Sequence, residues 1–243
     1  MLIGLTEFKT YRVASADGEI GRLADIVFPQ GQWSVRYLVA WSEALEREVA
    51  LPPSQVMRLD RPGRVLEVDV RRDRIEASPD LDLTRRIERY EEEQLHEHYG
   101  WPPYWLQEEN DVTPIGILLE EQEQAEPIDE RESANPELQL ANELTGAYAV
   151  HANEGPLGVL QDLVVESETW MVSYVAVAAP PRESSVLVET DRIERVDWVA
   201  REMYVSLPIA TLREGPAYDP NEPLNPELER SLHEYYDRIS RAV

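Results

Sequence analysis

The chain contains an internal repeat, and this repeat constrains its fold more than any other feature of the sequence. Residues 11–99 align without a gap onto residues 148–236. Many of the identical positions are glycine, aspartate or aromatic residues, whose backbone and packing requirements are specific. They include the pairs Gly18/Gly155, Gly21/Gly158, Leu23/Leu160, Asp25/Asp162, Trp33/Trp170, Val35/Val172, Tyr37/Tyr174 and His96/His233. The repeat predicts two copies of one structural unit.

Each copy begins with a series of short predicted strands. Trp33–Val39 has an apolar residue at every second position, which is the period of a strand with one buried face. Gly21–Phe28 is a second strand, and Glu48–Leu51, Val56–Leu59 and Val65–Val70 are shorter ones. Because Pro and Gly turns separate these strands, the pattern favours a small closed barrel, which leaves no exposed sheet edge.

Each copy ends in a predicted helix. In the second copy Asn225 is the predicted cap and Pro226 the first helical residue. In the first copy Asp82 or Thr84 is the predicted cap, and Gly100 ends the helix. The apolar stripes are narrow, which favours helices that dock on a barrel or on each other. The stripe of the second helix contains Leu228, Leu232, Tyr235, Tyr236 and Ile239.

Two glycines and one aspartate at the start of each copy are interpreted as structural residues. Gly18 follows Asp17 in a turn that requires positive φ, and Gly21 permits a close approach at the start of the next strand. A phosphate-binding loop is not favoured, because the motif is too short and no helix follows it. The aspartates are expected to bond turn backbone. The set is Gly18, Gly21, Asp25, Gly155, Gly158 and Asp162.

Composition excludes several classes of function. The chain has no cysteine, so it forms neither disulfides nor thiolate metal sites. Its net charge of −25 would repel a phosphate backbone, which argues against a nucleic-acid partner. No run of apolar residues approaches the roughly 18 needed to span a membrane. We therefore expect a cytoplasmic protein with no integral membrane segment.

The two copies are separated by an acidic segment, residues 106–137. Pairs and runs of glutamate repel one another and favour an extended linker. Within it, Ile115–Leu119 is a short apolar run that is either a strand docked on a barrel or an apolar island in a tether. The predicted domains are thus residues 1–105, a linker at 106–137, and residues 138–243.

The doubled motif resembles the PRC-barrel domain, a family named for the cytoplasmic domain of the photosynthetic reaction centre H subunit. The likeness lies in Gly-x-x-Gly-x-Leu-x-Asp-Leu/Ile-Val followed by Trp-x-Val-x-Tyr, which starts at Gly18 and again at Gly155. Soluble bacterial tandem PRC-barrel proteins are similar, since they carry a segment like Tyr99–Trp105 between two barrels. The resemblance implies a mainly β protein with some α: two small β-barrels in tandem, each followed by a helix.

The resemblance also implies a class of function. PRC-barrels act as docking or scaffold modules and carry no set of catalytic residues. The expectation is therefore a non-enzymatic adaptor that binds an unidentified protein partner and needs no cofactor. An alternative is a peripheral component of a photosynthetic or electron-transport membrane complex, as the H subunit likeness would imply. A homodimer is a further possibility that the sequence leaves open.

Three aromatic residues form the sharpest local signal for a partner surface. They are Trp101, Tyr104 and Trp105, which flank two prolines in a stiff segment. Such a segment offers a large contact area at low entropic cost. It either anchors a partner protein or covers the open end of the first barrel.

Two repeat-equivalent histidines are the one candidate for a metal site. His96 and His233 each stand in a Leu-His-Glu sequence on the last helix of their copy. If the two helices pack about a pseudo-twofold axis, both imidazoles approach each other with Glu97 and Glu234 and provide four ligands. The alternative is that both histidines are solvated or stacked on tyrosines. No other motif predicts a catalytic residue.

Overall fold

The computed structural model of the protein describes residues 1–79, 81, 87–103 and 137–242. It is mainly β with a few helices, and its strands form two mixed sheets. The first strands are β1 (Leu2–Gly4), β2 (Arg12–Ser15), β3 (Gly18–Pro29), β4 (Tyr37–Ser42), β5 (Arg47–Leu51), β6 (Val56–Asp60) and β7 (Val65–Val68). The others are β8 (Leu138–Leu140), β9 (Ala149–Ala152), β10 (Gly155–Glu166), β11 (Met171–Ala178), β12 (Ser185–Glu189), β13 (Ile193–Asp197), β14 (Glu202–Val205) and β15 (Ala217–Tyr218).

The helices are short except for the last one. They are α1 (Leu5–Phe8), α2 (Arg72–Glu76), α3 (Arg89–Tyr99), α4 (Ala141–Leu144), α5 (Ile209–Glu214) and α6 (Pro226–Ala242). The predicted start of α6 is confirmed, because the Asn225 side chain accepts the Leu228 amide at 2.9 Å. The predicted end of α3 is also confirmed, since Gly100 adopts a left-handed conformation. Its cap is Glu88, in a capping box with Glu91, whereas the predicted caps Asp82 and Thr84 lie outside the described residues.

Six strands of each sheet follow one another in equivalent order, as the repeat predicts, and the second sheet has β15 in addition. The strand order is β5-β4-β3-β2-β7-β6 in the first sheet and β13-β14-β9-β10-β11-β12-β15 in the second. One pair in each path is parallel, β2 with β7 and β9 with β14, and the rest are antiparallel. Among the described residues no pairing joins the outer strands of either path. Both sheets are therefore open, and the closed barrels expected from the sequence are not seen.

The two halves of the chain, residues 1–103 and 137–242, exchange their first strands. β1 pairs with β10 of the second half, with Ile3 opposite Val165. In return β8 pairs with β3 of the first half, with Leu140 opposite Val27. The short helices α1 and α4, which follow these strands, cross over with them. Each sheet thus contains one strand from the other half, while the domain boundaries given above remain a prediction.

A second reciprocal contact lies between the halves at the repeat-equivalent tryptophans. The Val35 amide donates to the Trp170 carbonyl at 2.8 Å, and the Val172 amide donates to the Trp33 carbonyl at 2.7 Å. The predicted strand Trp33–Val39 is therefore wrong at its start: β4 begins at Tyr37, because the preceding backbone bonds across to the other half. The two hydrogen bonds are equivalent under the repeat, since each half donates one and accepts the other.

Buried apolar residues of both halves form one continuous core. The residues that the strand pattern predicts on the inner face are buried, with the exception of the two indoles. The set is Leu23, Val27, Trp33, Val35, Tyr37, Val39 and Val49, with Leu160, Val164, Trp170, Val172, Tyr174 and Val186 in the second copy. Trp33 and Trp170 are half-buried and pack against the edge of the core. Trp33 stacks on Phe28, whereas Trp170 lies against Phe8 of α1. The acidic segment predicted as a linker and Ile115–Leu119 lie outside the described residues, except for Glu137.

Candidate docking site

A buried polar network fixes α3 to the first sheet. The Tyr37 hydroxyl lies 2.9 Å from Glu92 Oε1, to which it donates, and 2.9 Å from His96 Nε2. Glu92 is fully buried, and Arg89 lies 3.7 Å from its carboxylate. Burial lowers the pKa of His96, so its ring is neutral at pH 7. The network satisfies a buried carboxylate and holds one face of α3 in place.

An aromatic groove lies beside this network, at the junction of the two halves. We refer to it as the first groove; its volume is about 510 Å³. Trp101 forms one wall, stacked on Tyr99 at a centroid distance of 4.0 Å. With the Gln55 amide turned to satisfy its neighbours, Trp101 Nε1 donates to the Gln55 oxygen at 3.1 Å. The rest of the lining includes Tyr37, Pro52, Pro53, His96, Pro102 and, from the second half, Thr169 and Trp170.

An adjoining depression extends the first groove over the C-terminal end of α3. It has a volume of about 530 Å³ and shares His96, Trp101 and Pro102 with the first groove. Glu93 and Glu97 line it as well. The aromatic floor is therefore bordered by carboxylates, which favours a ligand with apolar and positively charged parts.

A second groove occupies the repeat-equivalent position in the other half. Its volume is about 350 Å³. The repeat relates Tyr174 in its lining to Tyr37, and His233 to His96. Its chemistry differs, because Glu189 and Asp191 stand where the first groove has Pro52 and Ser54. The complete lining is Leu2, Glu166, Thr169, Met171, Val172, Ser173, Tyr174, Glu189, Thr190, Asp191 and His233.

The predicted partner residues are only partly within the described structure. Trp101 is half-buried, covers part of the first half and lines the first groove. Both interpretations of the aromatic segment, cover and partner surface, are therefore compatible with its position. Tyr104 and Trp105 lie outside the described residues.

The four predicted turn glycines occupy two kinds of position. Gly18 and Gly155 have φ of 150° and 136°, which glycine adopts at little cost. Gly21 and Gly158 lie where backbones approach closely: a Cβ at these positions would overlap the carbonyl oxygens of Trp41 and Ala178. The second role explains why the repeat keeps glycine within a strand.

The two predicted structural aspartates bond the backbone of the opposite half. Asp25 Oδ1 accepts the Ile26 amide at 2.8 Å and the Asn142 amide of α4 at 3.2 Å. Asp162 Oδ1 accepts the Leu163 amide at 2.9 Å and the Thr6 amide of α1 at 3.2 Å. The predicted bonds to turn backbone are thus replaced by a neighbouring strand amide and the first turn of an exchanged helix.

Burial changes the protonation of these two carboxyl groups. It raises the pKa of Asp25 to about 7, against the opposing effect of the backbone hydrogen bonds. Burial also raises the pKa of Asp162, whose second oxygen accepts the Tyr218 hydroxyl at 3.0 Å. Both groups contact the exchanged segments rather than a cavity, which favours a structural role over catalysis.

The two candidate metal-binding histidines have different surroundings. His96 is buried against Tyr37 and Trp101, whereas His233 is exposed and its Nδ1 lies 2.8 Å from the Glu229 carbonyl oxygen. Within residues 1–79, 81, 87–103 and 137–242, no group of three or more His, Asp or Glu side chains is placed to hold a metal ion. The structure therefore does not gather the four-ligand set.

Comparison with known proteins adds no relative. The chain matches no model of a known protein family, and a search of curated proteins gives no match. In the part of the chain that the structure describes, no helix is both long enough and apolar enough to cross a membrane.

The sequence pattern does not predict the second groove, nor the contribution of the second half to the first groove. Thr169 and Trp170 reach the first groove only through the reciprocal backbone contact between the halves. The repeat alignment holds a usable signal, because the positions that line the first groove have equivalents in the second copy.

Proposed function

We propose that this protein is a non-enzymatic adaptor or scaffold whose two halves are related to PRC-barrel domains, although their sheets are open. The doubled motif supports the proposal, as do the two mixed sheets with the same strand order. In the family that the motif resembles, such units serve as docking modules. A fold by itself does not define a function, so a docking role requires a site on the molecule.

The first groove is the observation that carries the proposal. Trp101 is stacked on Tyr99 and hydrogen-bonded to Gln55, so its indole is held in place before a partner arrives. A preorganised, half-buried tryptophan beside prolines is typical of the residues that dominate protein–protein binding energies. Tyr37 and His96 are already committed to the network under the groove, which leaves them a supporting role.

Charge indicates the kind of partner. Glu93 and Glu97 border the aromatic floor, and the whole chain carries a net charge of −25. A protein surface with exposed basic residues would be steered toward this face, whereas nucleic acid would be repelled. We therefore propose a partner protein that presents a basic face with an apolar centre.

Affinity capture from the native organism tests the proposal with three forms of the full chain: wild type, Trp101→Ala and Trp41→Ala. Trp41 is 43% exposed on β4 and provides a matched control for loss of a surface indole. We expect a protein that wild type and Trp41→Ala capture and that Trp101→Ala does not. For the purified partner, Trp101→Ala should weaken binding by about thirtyfold, as for a typical hot-spot tryptophan.

Other outcomes would redirect or reject the proposal. An identical set of captured proteins for all three forms would reject the first groove as the docking site. Co-purification with membranes that show pigment absorption would favour the alternative role beside a photosynthetic or electron-transport complex. Capture of the same chain alone would indicate a homodimer.

A further inference from the structure

The two grooves are built from equivalent positions of the repeat but differ in how their central tyrosine is satisfied. In the first groove the Tyr37 hydroxyl contacts both Glu92 and His96 at 2.9 Å. In the second groove the equivalent Tyr174 is only 3% exposed and lines the cavity. Within the described residues its hydroxyl makes no hydrogen bond.

The equivalent partners in the second half are engaged elsewhere. Glu229, the counterpart of Glu92, accepts the Leu2 amide at 3.0 Å, because the exchanged strand β1 passes beside it. His233, the counterpart of His96, is exposed, and its Nδ1 lies against the Glu229 carbonyl oxygen. Strand exchange thus gives the Glu229 carboxylate a backbone partner, whereas its counterpart Glu92 accepts the Tyr37 hydroxyl. The Tyr174 hydroxyl thus faces the cavity with no protein partner among the described residues, and it can bond a ligand that enters the groove.

The charges around Tyr174 indicate what that ligand is. Besides burial, the carboxylates of Glu189, Glu166 and Glu229 all raise the pKa of Tyr174, so all three act on its hydroxyl. Glu189 has a cationic neighbour in Arg192, whose Nε lies 3.6 Å from its carboxylate. The surplus of negative charge beside an uncommitted hydroxyl oxygen favours a cation that donates hydrogen bonds.

The shape and lining of the second groove narrow the choice further. Leu2, Met171 and Val172 provide apolar surface beside the carboxylates. An alkyl chain that ends in a cationic group fits this combination. A guanidinium suits the acceptors better than an ammonium, since it offers five N–H donors in a plane and is less strongly hydrated.

We propose that the second groove binds the guanidinium group of an arginine side chain presented by a partner protein. The guanidinium donates hydrogen bonds to Tyr174 Oη and to the carboxylates of Glu166 and Glu189, and the alkyl part lies along Leu2 and Met171. This assignment rests on the proposed docking function, because the arginine comes from a partner. The first groove would then bind the apolar centre of the partner surface, and the second groove an arginine of the same surface.

Titration of N-acetyl-arginine amide into the full chain, followed by backbone amide NMR, tests the assignment. We expect saturable shifts centred on Glu166, Tyr174 and Glu189, with an affinity of roughly 1 mM. The neutral isostere N-acetyl-citrulline amide should bind at least about tenfold more weakly, because it lacks the charge. Tyr174→Phe should weaken arginine binding by about fivefold, as expected for one lost hydrogen bond to a charged group.

Two matched variants distinguish binding at the second groove from the loss of a tyrosine hydroxyl or a glutamate charge elsewhere on the protein. Tyr90→Phe makes the same substitution at a tyrosine that is 55% exposed on α3, and Glu168→Gln removes a charge outside the lining whose side chain is 82% exposed. Both should bind arginine as the wild type does. Equal binding of the arginine and citrulline derivatives, or undiminished binding by Tyr174→Phe, would overturn the assignment. Glu189→Gln replaces Tyr174→Phe if that variant does not fold.

The two proposals fail in distinguishable ways. If arginine does not bind but capture still depends on Trp101, the docking function stands and only the guanidinium site is rejected. If arginine binds at Tyr174 and capture is unaffected by Trp101→Ala, the guanidinium site stands and the first groove is rejected as the docking site.

Discussion

At the scale of single residues, Asp25 carries the clearest consequence for pH dependence. Its ordinary pKa is 3.8, and burial raises it to about 7 in the folded protein. Between these values the folded state holds a proton that the unfolded chain has lost. The free energy of unfolding therefore decreases at this site as the pH rises from about 4 to about 7.

Asp25→Asn should remove this dependence, because the amide oxygen still accepts the backbone N–H groups without carrying a charge. We expect the variant to be more stable than wild type by about 4 kcal/mol at pH 8 and nearly equal at pH 4. Urea unfolding followed by tryptophan fluorescence measures both values. A difference that is the same at both pH values would contradict the argument.

Asp17→Asn provides a control of opposite sign. Asp17 is exposed, and hydrogen bonds from Ser15 and from the Arg72 amide lower its pKa. Its contribution to stability is present above the ordinary pKa and is lost as the pH falls. Asp17→Asn should accordingly be less stable than wild type at pH 8 and should lose that deficit in acid.

The close-approach glycines yield a second prediction at this scale. Gly21→Ala would drive a Cβ into the Trp41 carbonyl oxygen, and two paired strands would have to separate to admit it. We expect a loss of at least about 3 kcal/mol in the free energy of unfolding. Gly31→Ala is the control, because that glycine has φ of 76° but open space around it. It should cost only about 1 kcal/mol, measured by the same denaturation.

At the scale of elements, the exchange of β1 and β8 is the defining feature, and amide exchange tests it. Ile3 is fully buried in β1, so Ile3→Ala should destabilise the protein by about 3 kcal/mol. The local effect should fall on the second half. We expect faster hydrogen exchange at the Ser167 amide, which donates to the Met1 carbonyl, and along Val164–Glu166.

Leu138→Ala makes the reciprocal change in β8 and should show the reverse pattern. The Gln30 amide, which donates to the Glu137 carbonyl at 2.7 Å, should then exchange faster, with Val27–Pro29 beside it. Strands that pair within their own half would contradict the exchange, since Ile3→Ala would then loosen Val27 and Phe28.

Local sequence pattern predicts most of the elements but not their partners. Gly21–Phe28, Glu48–Leu51 and Val56–Leu59 fall within β3, β5 and β6, because apolar periodicity and turn residues act over a few positions. The three-residue strands β1 and β8 carry too little pattern to be predicted. The strand predicted from Trp33 begins only at Tyr37, because the backbone at Trp33 bonds to the other half of the chain.

In the candidate site, too, the sequence indicates some of the residues but not the contacts that they make. Trp101 and His96 stand out in the sequence by residue type, and both line the first groove. The aspartates also stand out, yet their bonds to Thr6 and Asn142 join residues 156 and 117 positions apart. The importance of Tyr174 depends on the place of β1 beside Glu229, which no local pattern contains.

At the scale of the whole molecule, the two halves depend on each other for a complete core. Ile3, Leu5 and Phe8 are fully buried although their strand and helix cross to the other half, and Ala141 and Leu144 are buried on the return side. Removing either exchanged segment would leave apolar surface and a buried aspartate without its helix amide. The halves are therefore expected to unfold together in one transition.

A chain cut between its halves tests this interdependence. With a specific protease site inserted between residues 106 and 136, the cleaved protein should elute as one species with a mass near 27.9 kDa. The two exchanged strands, the reciprocal bonds at Trp33 and Trp170, and the shared core hold the fragments together without a covalent link. Size-exclusion chromatography with light scattering at micromolar concentration gives the mass directly.

Gly4→Ala in the cut chain is the control, because a Cβ there would overlap the Tyr218 hydroxyl and approach Asp162, and so weaken one of the two exchanges. Its fragments should separate at lower urea concentration than those of the unmodified cut chain, whereas separate elution of the unmodified fragments in buffer would show that the halves are independent.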